Sequence, residues 1–170
     1  MSITTPAEMF QRELEKLYHA EIEILDLHAD LSGAAASDDV IALFAAHRDD
    51  TVEQINRIER IFTRLDQKPV GRGSPIMEGL LAEKDELIWE IQDGYLRDLD
   101  ALGIGMINER FEITVLDRLV HLGVEIGLED ELIDELRANL SEAQVALDRM
   151  ERIVAERRVN SGEEGYQRED

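Results

Sequence analysis

The chain has 170 residues, with 39 Asp and Glu against 18 Lys and Arg, no cysteine, and a formal net charge of −21. That balance excludes general affinity for nucleic-acid phosphates, which needs clustered Lys and Arg to displace counterions, and the missing cysteines exclude disulfides and thiolate metal sites. No apolar run approaches the ~20 residues that span a bilayer, and the opening MSITTPAEMF carries no signal-peptide pattern.

The expectation is one soluble, cytoplasmic helical domain, with 44% of residues in the broad hydrophobic class. Of the basic residues, 15 are Arg and only 3 are Lys. A chain this acidic repels itself in dilute salt, and raising salt from 0.1 M to 1 M shortens the Debye length from ~10 Å to ~3 Å. The acids are spread along every segment, which suits the cytoplasm of a salt-adapted prokaryote.

Helical periodicity runs through the chain. From Thr5 a stripe carries Phe10, Leu14, Leu17, Leu25 and Leu31, with Pro6 suited to a first turn, and stops at Ser32-Gly33. Ser37-Asp38-Asp39 supplies capping chemistry for a second helix carrying Val40, Phe44, Ile55, Ile58, Phe62 and Leu65. Residues 67–75 form the one clear loop, followed by a shorter helix from about Ile76 to Ile91 that breaks at Asp93-Gly94. A third long helix carries Leu99, Leu102, Met106, Ile113, Leu116 and Val120 and fades between Gly123 and Gly127. The fourth begins near Leu128-Glu129-Asp130 and carries Leu132, Leu136, Leu140, Leu147, Met150 and Val154. Residues 1–157 therefore read as an all-α, ferritin-like four-helix bundle, its long crossover containing a short extra helix. Residues 158–170 read as a polar, disordered tail.

Chemistry is expected where an apolar stripe turns polar. The first helix meets Glu21 and then His28. The second meets His47, Thr51 and Gln54, with Asp50 at the edge. The third meets Glu109, with Glu112 three residues on. A buried carboxylate must be paired, protonated or bound to a cation, and carboxylates from facing helices are what a bundle-core metal site is made of. The fourth helix breaks the pattern: its stripe reads Leu140, Ala143, Leu147, Met150, and Glu142 lies about 100° off that line. His28 and His121 read as structural or surface residues and His19 as exposed, while Trp89 and Tyr95 read as capping the bundle or meeting a partner.

Several stretches resemble the YciE/YciF ferritin-like family of stress-associated proteins. They are Leu17-Tyr18-His19-Ala20-Glu21, His47-Arg48-Asp49-Asp50-Thr51, Met77-Glu78-Gly79-Leu80-Leu81, Arg97-Asp98 and Glu109-Arg110-Phe111-Glu112-Ile113. The resemblance implies a bundle similar to rubrerythrin and manganese catalase, a homodimer formed by helix packing, and a di-iron or di-manganese centre. On the matching positions it implies Glu21, His47, Asp50, Glu109 and Glu112 as metal residues. Asp50 stands where the family has Glu, Arg110 replaces a His, and Ala143 and Leu147 replace acids on the last helix. The reading that follows is a degenerate metal site in a non-catalytic structural or binding protein. Its enzyme alternative is a carboxylate-bridged iron or manganese oxidase handling O2, peroxide or ferrous iron.

Overall fold

Thr5 opens α1 (Pro6–Ala34) with a capping box: its side chain accepts from the Glu8 N–H while the Glu8 carboxylate accepts from the Thr5 N–H. The computed structural model describes residues 2–166, with side chains described to residue 158. After α1 come α2 (Asp38–Arg64), α3 (Pro75–Glu90), α4 (Gly94–Glu125) and α5 (Asp130–Tyr166), with no strand among the described residues. The elements match the helices expected from periodicity to within a few residues, including the short crossover helix. The stretch 158–170 expected as a tail is helical as far as Tyr166, continuing α5 through the weak helix formers Val159, Asn160, Ser161 and Gly162. Residues 167–170 lie outside the described residues.

The core has two apolar halves that fix the direction of each helix. One half takes Phe10 and Leu14 of α1, Ile58 and Phe62 of α2, Leu116 and Leu119 of α4 and Leu132 and Leu136 of α5. The other takes Ile24 and Leu31, Val40 and Phe44, Leu102 and Ile104, and Met150 and Val154 from the same four helices. Chain number therefore rises toward the second half in α1 and α5 and toward the first half in α2 and α4. The order is up, down, down, up, and the loop with α3 carries the chain back along the bundle between α2 and α4. α1 packs chiefly on α2, α5 on α4, and α3 rests against α1 and α4.

Close approach is needed where α4 crosses the middle of the bundle. A Cβ on Gly105 would meet Met150 Sδ and Phe44 Cε1 at 2.9 Å each, so only glycine fits without a shift. Gly127, at φ +72°, turns the chain from α4 into α5 in the left-handed region that glycine adopts freely.

One end of the bundle is tied by a buried carboxylate. Asp98 accepts from the Ala36 N–H at 2.7 Å and from Arg157 at 3.2 Å, joining the α1–α2 turn, α4 and α5. Burial raises the Asp98 carboxyl, but the Ser37 hydroxyl, the Ala36 and Ser37 amides and Arg157 together hold it below the usual Asp value. The crossover loop lies on α1, with the Arg72 N–H donating to the Glu15 carbonyl at 3.0 Å. Gly71 presses against His19, whose side chain is therefore half-buried rather than exposed as its position off the stripe implied. Among the described residues, no helix is long and apolar enough to cross a membrane.

Candidate metal centre

Between the two apolar halves lies a polar layer. Glu21, His28, His47, Thr51, Gln54, Asn108, Glu109, Glu112 and Asn139 are all buried. Helical stepping explains the membership. On α2 the inward line runs 47, 51, 54, 58, so Asp50, three residues after His47, turns outward and is exposed. On α4, Asn108, Glu109 and Glu112 share an inward face set by Gly105 before them and Val115 and Leu116 after them.

The layer is dense in ionisable groups and poor in partners. His47 Nε2 and Glu109 Oε1 share a hydrogen bond of 2.6 Å, and the His47 ring lies 4.3 Å, centroid to centroid, from His28. Asn108 Nδ2 donates to Glu112 Oε1 at 2.6 Å and, weakly, to Glu109 Oε1 at 3.4 Å. Both oxygens of Glu21, both ring nitrogens of His28, Glu109 Oε2 and Glu112 Oε2 are buried with no hydrogen-bond partner. Among the described residues no Lys or Arg pairs with Glu21, Glu109 or Glu112. An uncompensated buried ion costs several kcal/mol, so protons must substitute for cations. Burial, and then the charges of Glu109 and Glu142, push the Glu21 carboxyl up to about 8. Burial, with Glu21 and Glu109, also raises Glu112, against the opposing pull of its Asn108 hydrogen bond. Burial and the neighbouring His47 hold His28 well below the usual imidazole range, which keeps it neutral.

Neutral imidazole and carboxylate are donors that suit iron, manganese or zinc. One donor atom each from His28, His47 and Glu109 lie within 4.8 Å of one another, the group among the described residues that could hold an ion. Ligand bonds of about 2.1 Å keep donors within about 4.2 Å of one another, so the trio is close enough to hold an ion in place of the shared His47–Glu109 proton. Of the residues read from sequence, Glu21, His47, Glu109 and Glu112 meet in the layer, while Asp50 stands apart on the surface. Periodicity places His28 on the stripe, but the His47 ring comes beside it only through a tertiary contact between α1 and α2.

Asn139 is a polar residue that the apolar stripe of the last helix does not mark out. It is buried on α5, donates to the Gln54 carbonyl at 3.2 Å and accepts from Arg57 at 3.0 Å. Glu142, the acid judged nearest on the last helix, is half-exposed and accepts from Arg57 at 2.8 Å and Gln54 at 3.1 Å. Ala143 fills the layer position of α5 and is fully buried, so this helix adds no buried carboxylate there.

In sequence the chain is similar to Protein YciF of Escherichia coli (strain K12), 27% identical over 128 residues that cover 75% of this chain and 77% of that protein. In structure it is similar to YcfI of Rhodopseudomonas palustris, with a TM-score of 0.85 and 28% identity over 88% of this chain and 95% of that one. The structure of the E. coli stress protein YciF superposes with a TM-score of 0.84 at 24% identity, over 89% of this chain and 95% of that one, which shows a common fold. The family described as a domain of unknown function (DUF892) matches residues 5–162, which take in almost all of α1 to α5. The chain belongs to that family, the YciF type that its α1, α2 and α4 stretches resemble.

Proposed function

We propose that this protein is a YciF-like, stress-associated ferritin-like homodimer whose polar layer is a reduced metal centre, holding iron or manganese for a structural or binding role. One observation carries the reading: a single buried layer contains three carboxylates and two imidazoles, and most of their oxygens and nitrogens lack any hydrogen-bond partner. Buried polar groups are otherwise almost always satisfied, and a divalent cation satisfies several at once. A bound iron or manganese ion supplies a Lewis acid and a redox couple. The chain's own contribution is to orient the donors, with Asn108 fixing one oxygen of Glu112 and the apolar halves walling off water on both sides. The absence of a buried acid at the α5 position of the layer, where Ala143 stands, is the reason to favour holding over turnover, because a bridged two-metal site draws ligands from all four helices.

The pair of free oxygens on Glu21 supports a second reading, since a carboxylate with both oxygens available can bridge two ions. That reading is a di-iron or di-manganese oxidase handling O2, peroxide or ferrous iron. The dimer is supported by apolar side chains left in solvent at the end of α3 and along α4, with Trp89 82% exposed and Leu96, Leu99 and Ile107 also exposed.

Metal analysis of full-length protein purified in high salt tests the proposal. The expected result is bound iron or manganese that disappears in Glu109→Ala. Folded, metal-free protein that takes up neither metal on reconstitution would overturn it. Two ions per chain with turnover of ferrous iron or peroxide would select the oxidase reading.

A further inference from the structure

We infer that the layer takes one ion, held by His28, His47 and Glu109, with its remaining coordination positions open toward a groove between α2 and α5 where a small molecule binds. The inference rests on the proposal that the layer binds metal.

Two imidazoles and one carboxylate on one face of an ion, with the other positions free, is a donor set that non-haem iron uses to admit small ligands. Here the donors come from α1, α2 and α4, three of the four helices around the layer. Both nitrogens of His28 are buried and unpartnered, and its ring lies against that of His47. Glu21 and Glu112 fall outside the compact trio, so three donors rather than five converge.

The fourth side is different in kind. α5 brings Ala143 to the layer, and α2 and α5 pack together less than the other neighbouring pairs among the four long helices do. Toward one end their seam is closed by Arg57 bonding Glu142 and by Arg60 bonding Glu135. Beyond Glu142 it opens into a cavity of about 140 Å³ whose lining includes His47, Asp50, Ala146 and Met150. His47 is the member of the donor trio that also lines the cavity, so its ring is where the groove meets the centre. Asp50 stands at the exposed rim, where a carboxylate guides cations without ligating them. A cavity of this size admits a diatomic gas, azide or peroxide and no large substrate.

The full-length chain is loaded anaerobically with ferrous iron and then exposed to nitric oxide. One iron per chain is expected, with X-ray absorption showing two imidazoles, and nitric oxide should produce the half-integer-spin EPR signal of a non-haem ferrous centre that has bound it. His28→Leu should lose the iron, Glu112→Gln should keep it, and Ala146→Phe should keep it while losing the nitric oxide signal. Two irons per chain, or a coordination shell without imidazole, would overturn this inference and leave the metal reading intact. Iron that never gives the nitric oxide signal would overturn the open face. Folded protein that binds no iron or manganese would overturn both, and the X-ray absorption of unmodified protein decides the matter should the variants fail to fold.

Discussion

Glu21 is the residue whose charge the fold tolerates least. Its folded carboxyl titrates at about 8 against an ordinary value of 4.5, because burial and the charges of Glu109 and Glu142 oppose ionisation. Between those values the unfolded chain has released its proton and the folded chain has not. The unfolded state therefore binds fewer protons, and stability falls as pH rises through that window. In metal-stripped protein, Glu21 contributes a loss of at most about 1.4 kcal/mol per pH unit. Glu21→Gln cannot ionise, so denaturant unfolding at pH 5 and pH 8 should show the variant gaining on the wild type at the higher pH. Equal pH dependence in both would remove Glu21 as the cause. The polar stripe positions that hold the charge were legible in sequence because Glu21, Glu109 and Glu112 interrupt apolar runs at helical spacing. What the stripe pattern left undecided was whether a residue at its edge, such as Asp50, reaches the layer or the solvent. Asp50 is one turn from His47, yet the inward line continues through Thr51 and leaves Asp50 in solvent. His28 and His47 meet through a tertiary contact between α1 and α2, which periodicity within one helix does not encode.

The helices themselves were legible almost to their ends, since their limits are written in local chemistry: Thr5 with Pro6, Ser37 before Asp38, and Asp93 accepting from the Leu96 N–H. How α2 meets α5 was not, because it depends on arginines that look like ordinary surface charge. Arg57, Arg60 and Arg64 step along α2 and face Glu142 and Glu135 of the antiparallel α5 and Glu129 just before it. These contacts differ in worth with burial. The Arg57 side chain is 16% exposed and also satisfies the buried Asn139, whereas Arg64 and Glu129 are 52% and 61% exposed. Arg57→Ala strips a buried amide oxygen of its donor, a loss of about 1–3 kcal/mol. Arg64→Ala removes pairs with Glu129 and Glu131 that lie in solvent, where screening leaves them little effect on stability. Denaturant midpoints should separate the two variants in that order, and amide exchange in the Arg57 variant should quicken along α2 and α5 before α1. Similar losses in both would mean that the seam is held by packing rather than by Arg57.

At the scale of the molecule the acid excess divides in two. A few carboxylates are buried in the layer, while most of the 39 acids face the solvent. Much of the basic complement is already engaged: Arg57, Arg60, Arg64, Arg110, Arg118 and Arg157 all pair with acids, which leaves exposed acids such as Asp49 and Asp50 without a pair. Two salt effects then compete. Screening weakens the exposed pairs, each worth about 0–1 kcal/mol, and it also relieves repulsion within a surface of net charge −21. Repulsion among many unpaired acids extends over a Debye length of ~10 Å at 0.1 M salt and contracts to ~3 Å at 1 M, so it loses more than the short pairs do. The thermal midpoint should accordingly rise as KCl is increased from 0.1 M to 2 M, most steeply at the low end where the screening length changes fastest. A parallel series with Asp49 and Asp50 both changed to Asn should rise less, since part of the repulsion is already gone. A midpoint that stays flat or falls with KCl would mean that the ion pairs dominate, and the even spread of acid would then no longer argue for a salt-adapted host.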